Sequence, residues 1–64
     1  MNFEKLFNKA IQLHLSGKIP EALVIYRQAL KLNPNYIDAL NNQGICLQTL
    51  NRHEEALVSY TQAL

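Results

Sequence analysis

The stretch Glu21-Ala22-Leu23-Val24-Ile25-Tyr26-Arg27-Gln28-Ala29-Leu30 returns 34 residues later as Glu55-Ala56-Leu57-Val58-Ser59-Tyr60-Thr61-Gln62-Ala63-Leu64, with eight of ten positions unchanged. The same offset pairs residues 3–30 with 37–64, and twelve of the 28 pairs are identical, among them Leu6/Leu40, Asn8/Asn42, Ile11/Ile45 and Leu13/Leu47. Unrelated sequences would match at about two. The chain is therefore an internal duplication, and a period of this length belongs to architectures in which each unit buries its apolar face against the next.

Inside each unit the apolar residues recur every three or four positions. Phe3, Leu6, Ala10 and Leu13 form one stripe, and Ala22, Tyr26, Ala29 and Leu30 form another, so each unit reads as two amphipathic helices. Ser16-Gly17-Lys18 separates them, with Gly17 suited to the left-handed conformation that ends a helix. Pro20 fits the first turn of the second helix, where its missing N–H costs nothing, and Glu21 complements the positive helix start. Asn33-Pro34-Asn35 closes the unit, because Pro34 disfavours helical geometry at Asn33. Asn51 replaces Gly17 in the second unit and is the next-best residue for a left-handed cap. The pattern predicts four helices, at 2–15, 19–32, 35–49 and 53–64.

A helix-turn-helix unit of this period resembles the tetratricopeptide repeat, over essentially the whole chain. The signature positions are Leu6, Ala10, Leu13, Ala22, Tyr26, Ala29 and Pro34 in unit 3–36. In unit 37–64 they are Leu40, Gly44, Leu47, Ala56, Tyr60 and Ala63. Lys9 and Gln43 stand where the family usually has leucine, and Leu13 and Leu47 where it usually has tyrosine; both are ordinary variations. The resemblance implies an all-α fold, antiparallel helix hairpins stacked as a short right-handed solenoid of four helices in one continuous domain, 1–64. Small residues at Ala10, Gly44, Ala22 and Ala56 let paired helices approach, while Tyr26 and Tyr60 fill the space between hairpins.

In arrays that this chain resembles, the first helix of each hairpin lines a concave surface that binds peptides. That face would carry Glu4, Phe7, Asn8, Ile11 and His14 from the first unit, and Asp38, Asn41, Asn42, Ile45 and Gln48 from the second. Asn8 and Asn42 hold equivalent places and are similar to the asparagine ladder lining the groove of the protein N-acetylglucosaminyl transferases. A side-chain amide both donates and accepts, so it can grip a peptide backbone with little regard to sequence. Phe7 and Ile11 offer an apolar lip, either for a hydrophobic peptide side chain or for packing against a neighbouring chain. They also occupy the places where the family's chaperone clamp has lysine and asparagine. A carboxylate needs cationic donors, so the clamp reading fails even though Asn42 matches.

The rest of the sequence narrows the function by elimination. The net charge is +1 with scattered basic residues, which argues against nucleic acid as a partner. The longest apolar run, Ala22 to Tyr26, falls far short of the ~20 residues that cross a bilayer, and no export signal is visible, so the expectation is a cytoplasmic chain with no membrane partner. Cys46, the single cysteine, lies between Ile45 and Leu47 and reads as a buried or half-buried thiol, which mildly favours a reducing compartment. His14 and His53 read as isolated solvent-facing or helix-end residues. His53-Glu54 is not a zinc-protease motif, because the second histidine would fall at Leu57. Neither a metal, nor a cofactor, nor a catalytic set is expected.

A core this small buries only about 60% of the unfolded chain's surface. The sequence stops at Leu64, within the last helix, before the proline that closed the first unit. Leu57, Tyr60 and Leu64 on that helix exceed what one unit can bury, so they are expected to mediate self-association or to stack against the rest of a longer solenoid. The expectation is thus a scaffold that binds a protein or peptide, as a homo-oligomer or as part of a longer chain. The alternative is a structural stacking piece, or the non-catalytic arm of a transferase.

Overall fold

The computed structural model describes residues 2–64. Four helices follow one another, α1 (Phe3–Leu15), α2 (Ile19–Leu32), α3 (Ile37–Thr49) and α4 (His53–Ala63). They pair as the hairpins α1/α2 and α3/α4, and α2 packs on α3 to join them. The Cα framework is a thin slab measuring 30 × 25 × 13 Å. No side chain can lie far from water in so thin a slab, so close helix contact has to come from small residues.

The two tight turns within hairpins use the same device. Gly17 has φ +79° and Asn51 has φ +62°. At the first turn, Gly17 N–H donates to the His14 carbonyl and Lys18 N–H to that of Leu13, at 3.0 and 2.9 Å. At the second, Asn51 N–H donates to Gln48 and Arg52 N–H to Leu47, at 3.0 and 2.8 Å. These paired bonds satisfy carbonyls that the helix end would otherwise orphan. Asn2 caps α1, its Oδ1 accepting from Lys5 N–H at 2.9 Å, which starts the helix one residue later than the sequence pattern implies. The connection between hairpins differs more. Asn33 is extended at φ −143°, ψ 82°, as a residue before proline should be. Tyr36 N–H then closes a turn onto the Asn33 carbonyl at 3.2 Å. α3 therefore begins at Ile37 rather than at 35, because Asn35 is spent in the turn.

The buried core centres on Ala10, Ala22, Leu23, Tyr26, Cys46, Leu47 and Ala56. The signature positions Leu6, Ala29 and Leu40 are also buried. Tyr26, 1% exposed, is the largest side chain fully enclosed. Gly44 brings α3 against α4 so closely that a Cβ there would stand 2.6 Å from the Tyr60 ring. The sequence pattern does not reveal Ser59, which is buried and accepts a 2.8 Å hydrogen bond from Gln43 Nε2. The equivalent pair in the first hairpin is Lys9 and Ile25.

Candidate functional site

α1 and α3 run as the first helices of their hairpins; α1 side chains meet Tyr36, the residue before α3, at one end and those of α3 itself at the other. At one end, Phe3, Phe7 and Tyr36 form an aromatic cluster. The Phe7 ring centroid is 5.2 Å from that of Tyr36, edge to face, and 5.9 Å from that of Phe3; Phe3 is 4.6 Å from Tyr36. Phe7 also leans on Tyr26 at 6.1 Å. Such pairs add about 0.5–1.5 kcal/mol beyond burial. Phe7 is therefore half-buried and engaged within the chain, rather than standing free as a lip.

At the other end, the turn-by-turn spacing of Ile11, His14 and Leu15 sets all three on one stripe of α1. Together with Asn42 from α3 and Tyr26 from α2, they line an open concavity of about 240 Å³. His14 is neither isolated nor simply solvent-facing. Its Nδ1 lies 3.2 Å from the Tyr26 hydroxyl and 3.7 Å from Cys46 Sγ, and its ring packs edge to face on Tyr26. Burial pushes the Tyr26 phenol up to about 12. The neighbouring Cys46 adds to the shift, while the Asn42 amide opposes it by favouring the phenolate. Burial also raises the Cys46 thiol, so the sulfur is held protonated and poorly nucleophilic. Among the described residues, no three His, Cys, Asp or Glu side chains gather as a metal site.

Of the groove residues expected from sequence, Ile11 and Asn42 are thus brought together. Asn8, the repeat equivalent of Asn42, is exposed and does not line this concavity. Asn41 is half-buried and Ile45 is 43% exposed, and neither lines it. His14, Leu15 and Tyr26 complete the site. Sequence spacing ties His14 and Leu15 to Ile11, but Cys46, 32 residues from His14, gave no sign of its role.

On α4, Leu57 is 66% exposed and Leu64 fully so, with Val58 beside them. Tyr60 is used within the chain, its ring against Gly44 and its hydroxyl donating to Gln48 Oε1 at 2.7 Å.

Comparison with known proteins decides the family. A family profile described as TPR repeat matches residues 10–50, and a second, described as tetratricopeptide repeat, matches residues 37–64. The chain is a tetratricopeptide-repeat protein. Its four helices and two hairpins agree with that family, whose repeats generally mediate protein–protein interaction and are generally non-catalytic scaffolds. The tetratricopeptide chain is also similar to an uncharacterized protein, MJ0572, of Methanocaldococcus jannaschii. The two are 33% identical over 61 residues, covering 95% of this chain and 71% of the relative. No helix in the described residues is long and apolar enough to cross a membrane.

Proposed function

We propose that this tetratricopeptide chain is a scaffold that holds an extended segment of another protein against the side chains of α1 and α3. The concavity bounded by Ile11, His14 and Asn42 carries the reading, because it is where both first helices offer side chains to one ligand. The Asn42 amide supplies a donor and an acceptor for a peptide backbone, and Ile11 supplies an apolar wall. Asn8, Asn41 and Ile45 extend the same face, and Phe7 supports it from within. The use of Asn8 and Asn42 as a ladder like that of the N-acetylglucosaminyl transferases is the finer form of this reading, with the scaffold serving chemistry elsewhere. A free, buried thiol at Cys46 fits a reducing, cytoplasmic setting. Asn42→Ala is expected to weaken binding of a partner peptide by about 0.5–1.5 kcal/mol with helicity unchanged. Unaltered affinity would remove the groove assignment.

A second reading is favoured by one observation, the exposure of Leu57 and Leu64 on α4. These residues would stack on a second copy or on a further helix of a longer chain, with Tyr60 bracing the helix from behind. Sedimentation of the chain across concentration tests it. A monomer throughout, with unchanged helicity, would count against association of copies.

A further inference from the structure

The hydrogen-bond arithmetic at His14 specifies what the concavity offers to a ligand. Tyr26 and Cys46 are 1% and 0% exposed, and both keep their protons at neutral pH, since burial disfavours phenolate and thiolate alike. Each therefore has one hydrogen available, and both heavy atoms lie beside the same atom, His14 Nδ1, at 3.2 and 3.7 Å. Two neighbours that each carry a hydrogen favour the tautomer in which this nitrogen accepts, with its single lone pair turned inward and shared between them. In a neutral imidazole the proton then resides on Nε2. Nε2 has no hydrogen-bond partner among the described residues, while the ring itself lines the concavity beside Asn42. Ile11 and Leu15 supply aliphatic walls, and no Lys or Arg lines the space. At about 240 Å³ it falls below the ~300 Å³ lower end of small-molecule sites, and fits one residue of a chain better than a whole metabolite.

We infer that this concavity is a subsite for a single aliphatic residue of an extended peptide, whose carbonyl oxygen accepts a hydrogen bond from His14 Nε2–H while its side chain rests on Ile11 and Leu15. The inference deepens the groove reading above and rests on it. It makes His14 a backbone-holding residue of the subsite, beside Asn42 on the adjoining backbone, and leaves selection for an aliphatic side chain to Ile11 and Leu15. The inner pair, Tyr26 and Cys46, act through the ring by fixing its tautomer and orientation. An anionic group has no fixed cation to meet here, which distinguishes this subsite from a carboxylate clamp.

The test has two arms. Long-range ¹H–¹⁵N correlation of the labelled chain at neutral pH reads the tautomer directly. His14 is expected to show a pyridine-like Nδ1 and a protonated Nε2, without the mixture expected of the exposed His53, and Tyr26→Phe is expected to restore that mixture. A protonated Nδ1 in His14 would overturn the inference whatever binds. The second arm titrates acetyl-Ala-Leu-Ala-methylamide into the chain, followed by amide shifts of α1 and α3, with sodium acetate as the anionic comparison. His14→Leu is expected to weaken the peptide roughly tenfold, and His14→Gln, whose amide can donate from about the same place, to retain affinity within about threefold. Binding that depends on Asn42 but is unchanged in His14→Leu would sink the subsite and leave the groove standing. No shift on α1 or α3 into the millimolar range would sink both, and acetate binding more tightly than the peptide would replace the carbonyl with an anion as ligand.

Discussion

Helices α2 and α4 carry nearly the same ten residues and live in different surroundings. α2 lies between α1 and α3, whereas α4 packs on α3. Leu23 is 4% exposed and its counterpart Leu57 is 66% exposed; Tyr26 is enclosed and Tyr60 half-covered. The block Glu-Ala-Leu-Val-x-Tyr-x-Gln-Ala-Leu is thus written for a helix covered on two sides, and burial at each copy is set by neighbours rather than by the block itself. Within this block the sequence departs from the repeat at two positions on α4. Ile25 becomes Ser59 and Arg27 becomes Thr61, and the Ser59 hydroxyl is satisfied by Gln43.

The largest test of this contrast is the tyrosine pair. Tyr26→Ala is expected to cost about 3–5 kcal/mol, which rivals the ~5 kcal/mol that a small domain has to lose, so helicity at room temperature should collapse in circular dichroism. Tyr60→Ala should cost about 1 kcal/mol; equal losses would break the contrast. The raised Tyr26 phenol gives a matching pH signature. Because the folded state holds this proton more tightly than the unfolded one, its contribution to stability is intact below pH 10 and lost as pH rises through about 12. Urea midpoints followed between those values should fall in the parent chain and stay flatter in Tyr26→Phe.

Next comes the leucine pair. Leu23→Ala should lower stability by about 2–5 kcal/mol, and Leu57→Ala in a dilute monomer should stay within about 0.5 kcal/mol, both read from urea unfolding. A Leu57→Ala loss that grows with protein concentration would sharpen the contrast, showing that a second copy supplies the missing side of α4.

Gly44→Ala probes the approach of α3 to α4. Crowding the Tyr60 ring costs about 1–3 kcal/mol, partly offset by about 1 kcal/mol of helix propensity, for a net loss near 1 kcal/mol. In a Tyr60→Leu background the same change should become neutral or stabilising, and a thermal melt of the double variant decides. The smallest effects belong to the turns. Gly17→Ala should cost about 1 kcal/mol, because the left-handed conformation strains a Cβ even where nothing touches it. Asn51→Gly should gain a few tenths of a kcal/mol by the same logic, visible as a small rise in Tm.

The fold was legible because its determinants are local or periodic. Helical spacing, Gly17, Asn51 and Pro34 each act within a few residues of themselves, and the duplication supplied the stacking. The start of α3 was misplaced by two residues because the turn after Pro34 consumes Asn35 through a backbone bond, which leaves no mark on composition. The site was legible only along single helices. Ile11 and Asn42 were within reach from their positions on the first helix of each hairpin, yet the role of His14 depends on Tyr26, 12 residues away, and on Cys46, 32 residues away, from two other helices. Phe7 read as free because Tyr36, which covers it, sits in a connection that repeat arithmetic leaves out. Ser59 carries no sign of burial in the sequence, because that burial goes with Gln43 reaching across from α3.

The contact between Gly44 and Tyr60 also restricts how a chain like this can be recombined. A chimera joining the α1 sequence to α4 would put the Ala10 methyl where the Tyr60 ring rests, while α3 joined to α2 would leave the Tyr26 ring facing a vacancy one methyl wide. Single helices are therefore poor currency for exchange between the two halves. Lengthening or shuffling such a chain without loss requires that each first helix travel with the second helix whose tyrosine it was shaped to receive, so that the hairpin is the heritable module.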